Sequence, residues 1–236
     1  MKKLLYVNLL IIITVLMSGC MYPTSERTEN QRPDEEQLAS VQKAVEQFQE
    51  STSGLLPIKT RDQDVDEYIK YPIDFQKLVP SNLSEIPPNA YEQGGLFQYV
   101  IMDVEKNPTV KLVDLRSAEK IRELNVKLGI NGYGPIDQQI TENIYKLDYQ
   151  LMGYKNEQTV PSPYSDVNLP LVVTGDGTIY IDYSIELYRI IQEDNPDVKP
   201  GEDIRFLLVD KYPVVPAYSL PYTIDENNEP QFLLEK

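Results

Sequence analysis

The chain has 236 residues, a formal net charge of −15, no histidine and a single cysteine. A chain this acidic is not expected to bind nucleic acid, because that requires a basic surface to neutralise phosphates. The lack of histidine excludes Ser-His-Asp and Cys-His catalysis in their usual forms and zinc sites built on imidazole.

The N-terminal segment has the pattern of a bacterial export signal. Lys2 and Lys3 precede an apolar run over residues 4–17, and a small pair, Ser18 and Gly19, stands before Cys20. The run has 14 residues, whereas a membrane-spanning helix needs about 20. We therefore predict a signal peptide at 1–19 that is removed. The alternative is an uncleaved N-terminal anchor.

The sequence Ser18-Gly19-Cys20 resembles the bacterial lipobox, except that Met17 stands where leucine is commoner. The resemblance implies that Cys20 carries the lipid, with acyl chains such as palmitate, and that the domain stands outside the cytoplasm. Removing residues 1–19 takes Lys2 and Lys3 away and changes the net charge from −15 to −17. Since an anionic membrane surface repels such a domain, we expect the lipid alone to hold it there.

We predict that residues 20–33 comprise the lipidated Cys20 and a flexible polar tether, and that residues 34–236 form an extracytoplasmic α+β domain. Its first unit, 34–115, begins with a helix near 34–50, for which Asp34 is the expected N-cap. Apolar residues follow at helical spacing, among them Val41 and Val45. A β-hairpin near 96–115 closes the unit.

A second unit, 116–183, repeats this order. Ser117 is the expected cap of a helix near 117–129, and Asp-Gly at 176–177 predicts the turn of a hairpin near 169–183. Short matching pieces separate the units by 78, 74 and 73 residues. A partial third unit, 184–236, has a predicted helix near 184–194, a strand-like run over 204–209 and a hairpin near 219–234.

Several of these segments together resemble one family. They are the lipobox, the helix at 37–49, residues 54–60 (GLLPIKT), 71–75, 108–116 (PTVKLVDLR) and 168–183 (NLPLVVTGDGTIYIDY). The chain is similar to the YphF-like lipoproteins of Gram-positive spore-forming bacteria. That resemblance implies attachment to the outer face of the cytoplasmic membrane, and it supplies no catalytic residue or cofactor.

Two sets of carboxylates are candidates for chemistry. Asp62, Asp64 and Asp66 resemble the start of a calcium loop, but the glycine and the final glutamate of such a loop are missing. A solvated acidic loop is the alternative. Asp74 and Asp148 occupy matching places in the two units, and a carboxylate pair could hydrolyse glycans. Ordinary turn capping is the simpler interpretation.

Three tyrosines, Tyr91, Tyr164 and Tyr218, each stand near a proline and ahead of a predicted hairpin. Tyrosine suits recognition surfaces, and it equally suits packing within a sheet. We regard the three as candidate binding residues, with core packing as the alternative.

The leading hypothesis is a membrane-anchored binding or scaffold module without enzymatic activity or cofactor. Its expected partners are the membrane, through the Cys20 lipid, and an envelope protein or glycan. Two alternatives are a carboxylate-dependent enzyme acting on glycan or peptidoglycan, and a solute receptor for an importer. The sequence lacks the long βαβ alternation of such receptors.

Overall fold

The computed structural model describes residues 33–59, 61, 65–131 and 136–233. The predicted signal peptide, Cys20 and most of the tether lie outside the described residues, as do Asp62 and Asp64. The described chain is an α+β protein with antiparallel hairpins, as predicted.

Helix α1, Glu35–Ser51, opens the domain. The Asp34 carboxylate accepts a hydrogen bond from the Gln37 N–H at 2.9 Å, so the predicted N-cap is confirmed. Val41 and Val45 are fully buried on the apolar stripe. The chain leaves the helix through Gly54, whose φ of +96° favours glycine.

The first sheet consists of β1, Phe97–Met102, and β2, Thr109–Asp114, which form the predicted hairpin. Pro72 extends this sheet beside β1 through a single antiparallel bridge to Val100, and Ile73 forms an antiparallel bridge with Ile58, just before the short helix α2, Phe75–Leu78. Helix α1 packs on β2. Phe75 and Tyr99 meet edge to face at 5.5 Å within the core that forms between them.

Helix α3, Leu115–Asn131, begins before the expected cap. The Asp114 carboxylate accepts from the Arg116 N–H at 3.0 Å, in the first turn of the helix. Ser117 lies inside the first turn and is 4% exposed, so its predicted role as the cap is wrong. Asp114 also holds the Arg116 guanidinium, which raises the pKa of that arginine.

The second sheet has more strands than predicted. Its members, in the order β3-β4-β6-β5 with β7 beside β6, are β3 Ile136–Thr141, β4 Ile144–Leu147, β5 Thr159–Pro161, β6 Asn168–Thr174 and β7 Ile179–Ile181. The hairpin of β6 and β7 is the predicted one. The sequence did not predict β3, β4 and β5, because they are short and β3 is almost wholly exposed.

Helix α4, Ser184–Asp194, confirms the third predicted helix. The strand predicted over 204–209 is wrong, because helix α5, Phe206–Lys211, occupies most of it. The Asp203 carboxylate accepts from the Arg205 N–H at the start of this turn. Ile204 and Leu208 are fully buried four residues apart, which is helical spacing.

The final hairpin is β8, Tyr222–Ile224, with β9, Pro230–Phe232, as predicted. The preceding segment, 213–219, forms single parallel bridges with β2, through Val214, and with β7, through Ser219. Leu112 of β2 donates to the Pro213 carbonyl at 2.9 Å, and Ile181 of β7 donates to the Tyr218 carbonyl at 2.8 Å. One stretch of chain therefore joins the two sheets.

Candidate functional site

The second sheet has one face turned to a large core, which includes Leu171, Val173 and Ile181, and one face turned away from it. On the outward face, Lys146 lies opposite Val172, and Val172 lies opposite Tyr180. Directly opposite residues in antiparallel strands share a face. Lys146 is exposed, Tyr180 is half-buried and Val172 forms the floor between them. We call this face, with the loops that flank it, the outer-face groove.

Two cavities lie along the outer-face groove. One of about 600 Å³ is lined by Lys146 and Val172 and by loop residues around Asp148 and Asn156. The other, of about 730 Å³, extends over Tyr180 and towards residues 219–221. These volumes fall in the range of typical ligand sites, about 300–1,000 Å³. The face is therefore large enough to receive a partner group.

Acidic groups dominate the lining of the two cavities. Three cations line them, namely Lys146, Lys155 and Arg205. Seven carboxylates do so, namely Asp66, Glu67, Asp137, Glu142, Asp148, Glu157 and Asp182. The Arg205 guanidinium is already held by Asp203 at 2.7 Å and Glu67 at 2.9 Å. The groove should therefore have a negative potential that favours cationic groups.

The first sheet has an equivalent face with a different covering. On this face Val100 lies opposite Lys111 on one side and is bridged to Pro72 on the other. Val172 of the second sheet is flanked in the same way, by Tyr180 on one side and Lys146 on the other. A 3-10 turn at Glu67–Ile69 lays Tyr68, 5% exposed, against Val100. The 3-10 turn precedes Pro72, and in the second sheet the connection that precedes Lys146 is only the two-residue turn at 142–143. The outward face of the second sheet instead adjoins the two cavities, at Val172 and at Tyr180.

Residues 34–114 match the family model of the YphF family N-terminal domain. We call the matched segment, residues 34–114, the YphF domain. No curated protein and no solved structure matches the chain. The YphF domain comprises α1, the first sheet and the Tyr68 covering. Most of the outer-face groove lies beyond it, and residues 65–67 are the part of the groove that the domain contributes.

Of the calcium-loop candidates, only Asp66 lies within the described residues. Its carboxylate accepts from the Tyr68 N–H at 2.9 Å and from the Tyr218 N–H at 2.8 Å, so it ties the YphF domain to the segment that joins the sheets. Burial raises the pKa of Asp66, while these two hydrogen bonds act in the opposite direction. The described residues contain no cluster of three or more potential metal-ligating side chains of His, Cys, Asp or Glu.

The candidate tyrosines do not form one surface. Tyr91, in the YphF domain, is 63% exposed on a short 3-10 turn. Tyr164 lies between the two large cores, and its buried hydroxyl has no hydrogen-bond partner among the described residues. Tyr218 is partly buried with φ of +59°. Tyr180, the tyrosine of the groove, is not among the three candidates. Alternation along β7, with Ile179 and Ile181 inward, would have identified it.

The two matched aspartates each cap a turn. Asp74 accepts from the Gln76 N–H at 3.3 Å, and Asp148 accepts from the Gln150 and Leu151 N–H groups at 3.0 Å. Asp148 lines the outer-face groove, whereas Asp74 lies in the YphF domain at the end of the segment beside β1. The two aspartates therefore share a turn-capping role and do not lie in one site.

Within the described part of the chain, none of the helices combines the length and the apolar character needed to cross a membrane. The longest, α1 and α3, have 17 residues each. Both bury one face against a sheet and expose charged residues on the other.

Proposed function

We propose that this protein is a lipid-anchored binding module at the outer face of the cytoplasmic membrane, with Cys20 as the lipid attachment site and the outer-face groove as its binding surface. The open outward face of the second sheet carries the proposal. A half-buried tyrosine, an apolar floor and two adjoining cavities form a surface of the size that recognition sites use. The sequence Ser18-Gly19-Cys20 supports the anchor.

Binding fits the groove better than turnover does. Its two best-placed carboxylates are engaged in structure: Asp148 caps the turn after β4, and Asp182 accepts from the Tyr222 hydroxyl at 2.8 Å and from the Ser184 N–H. A general acid or base needs an oxygen within reach of the substrate. The chain also has no histidine to share such a role.

Photo-crosslinking in intact cells tests the anchor and the surface together. Benzoylphenylalanine replaces Tyr180 in the groove or, as the matched control, Tyr188, which is 44% exposed on α4. We expect irradiation to yield adducts from position 180 and far fewer from position 188. In the Cys20→Ala background the chain should leave the membrane fraction, or keep its signal, and lose these adducts.

Two results would contradict the proposal. Membrane-bound, signal-free protein in the Cys20→Ala background would refute the lipid anchor, because no acylated cysteine would then be needed. Equal adduct yields at positions 180 and 188 would refute the groove as the binding surface.

A further inference from the structure

The first sheet shows what kind of group covers this type of face. Residues 65–70 cross it, and the ring of Tyr68 packs among Val100, Val113 and Val215. The Arg205 guanidinium lies 5.1 Å from the centre of that ring. The covering group is thus a short chain segment that inserts one aromatic side chain. The outward face of the second sheet has the same strand arrangement and lacks that segment.

The wall of the first cavity includes a buried tyrosine. Tyr149 lines the first cavity and is only 8% exposed, and its buried hydroxyl has no hydrogen-bond partner among the described residues. Burial raises the pKa of this phenol, so it is protonated at neutral pH and can both donate and accept. The hydroxyl belongs to the large core and is closed to solvent, so Tyr149 contributes to the wall of the cavity and not to ligand contacts.

The charge of the cavity lining indicates which class of ligand the groove favours. Seven carboxylates and three cations line the two cavities, and Arg205 is already paired. The second cavity adds apolar wall at Ile144, Leu220 and Leu233. The whole chain, at −15, attracts cations over a longer range. A cationic segment with one aromatic side chain matches both the charge and the apolar wall.

We propose that the outer-face groove binds an extended, basic peptide segment of a partner protein, which places an aromatic side chain beside Tyr180. This inference rests on the proposed binding function and names its partner class. The segment covers the second sheet as residues 65–70 cover the first. Its cationic side chains face Glu142 and the other groove carboxylates.

Defined peptides test the inference. A fluorescein-labelled peptide, Lys-Tyr-Lys-Ile-Lys, is titrated with the full lipidated chain in neutral detergent and followed by fluorescence anisotropy. Two companion peptides carry Glu in place of Lys, or Ser in place of Tyr. We expect the basic aromatic peptide to bind, the serine peptide to bind about tenfold more weakly, a loss of about 1.4 kcal/mol, and the acidic peptide not to bind.

Variants of the chain locate the binding. Tyr180→Ala and Glu142→Lys, both at accessible positions of the groove, should each weaken binding of the basic peptide about tenfold. Tyr188→Ala, on α4 outside the groove, should leave binding unchanged. Circular dichroism confirms that each variant is folded. Two groove variants make the test independent of whether either one alone folds.

Three outcomes would overturn the inference. They are equal binding of the basic and acidic peptides, binding unaffected by both groove variants, and displacement of the peptide by neutral glycan chains at lower concentration than by unlabelled peptide. The last would leave the groove as the binding surface and assign it a glycan partner. Loss of crosslinks at position 180 in cells would instead refute the proposed function itself.

Discussion

Glu186 is a charged residue that the fold has taken almost completely out of water. It lies on α4, and its side chain is 1% exposed. The hydroxyls of Ser162 and Ser165 donate to one carboxylate oxygen, and Arg189 binds the other at 2.8 Å. The two serine contacts tie the loop before β6 to the helix. A buried carboxylate is stable only when such partners compensate its lost hydration.

We expect Glu186→Gln to lower the free energy of unfolding by about 2 kcal/mol, because Arg189 loses its buried counter-charge and the serine hydroxyls lose a charged acceptor. Urea denaturation measures this as a lower midpoint with an unchanged slope. The matched control is Glu193→Gln, which removes the other carboxylate near Arg189, at 3.8 Å and 52% exposed. Its effect should be below about 0.5 kcal/mol. Equal losses would contradict this account of Glu186.

At the scale of elements, the two sheets differ in what lies on their outward faces. Tyr68 closes the small core on the first sheet together with Val100 and Ala217. Burial raises the pKa of its phenol strongly. Tyr180 on the second sheet is half-buried beside open volume. We therefore propose that the two tyrosines have different roles, Tyr68 in stability and Tyr180 in recognition.

This difference predicts an asymmetry in stability. Tyr68→Ala should lower the free energy of unfolding by about 3 kcal/mol, because it leaves a cavity over Val100. Tyr180→Ala should cost less than about 1 kcal/mol, because the side chain already contacts solvent. Thermal and urea denaturation of both variants measure the two losses. If Tyr180→Ala lowered the free energy of unfolding more than Tyr68→Ala did, the outward face of the second sheet would be part of the core and would not form an open groove.

At the scale of the molecule, the segment at 213–219 completes the YphF domain from far along the chain. The family match ends at Asp114, yet β2 pairs with Val214, and Val215 and Ala217 fill the small core beneath Tyr68. Lys111 donates to the carbonyls of Val209 and Tyr212, which are also remote in sequence. Burial lowers the pKa of Lys111.

We therefore predict that a fragment of residues 34–114 does not fold cooperatively alone. Without residues 213–217, the edge of β2 has unpaired N–H and C=O groups and the small core has lost two of its members. Circular dichroism should show no cooperative thermal transition for the fragment and a single transition for the whole domain. A fragment that unfolds cooperatively, with slow hydrogen exchange at Leu112, would show that the remote segment is dispensable.

Local patterns were enough to predict much of this fold. The helix near 34–50, the helix near 184–194 and all three hairpins are present as expected, because each has a strong local cause. Asp34 caps α1 by bonding three residues ahead, and Asp-Gly specifies the turn between β6 and β7. Such interactions depend on neighbours in sequence and need no knowledge of the rest of the chain.

Tertiary contacts decided the remainder. The short apolar run at 204–209 is compatible with either a helix or a strand. Burial of Ile204 and Leu208 on one side favours the helix. The site followed the same rule. Asp66 was expected as a solvated acid or a metal ligand, and the segment at 213–219 uses it as a structural acceptor. Tyr180 belongs to the groove because the turn at 142–143 is too short to cover it. Which strands lie side by side, and so which connection could cover Tyr180, is decided by the tertiary structure.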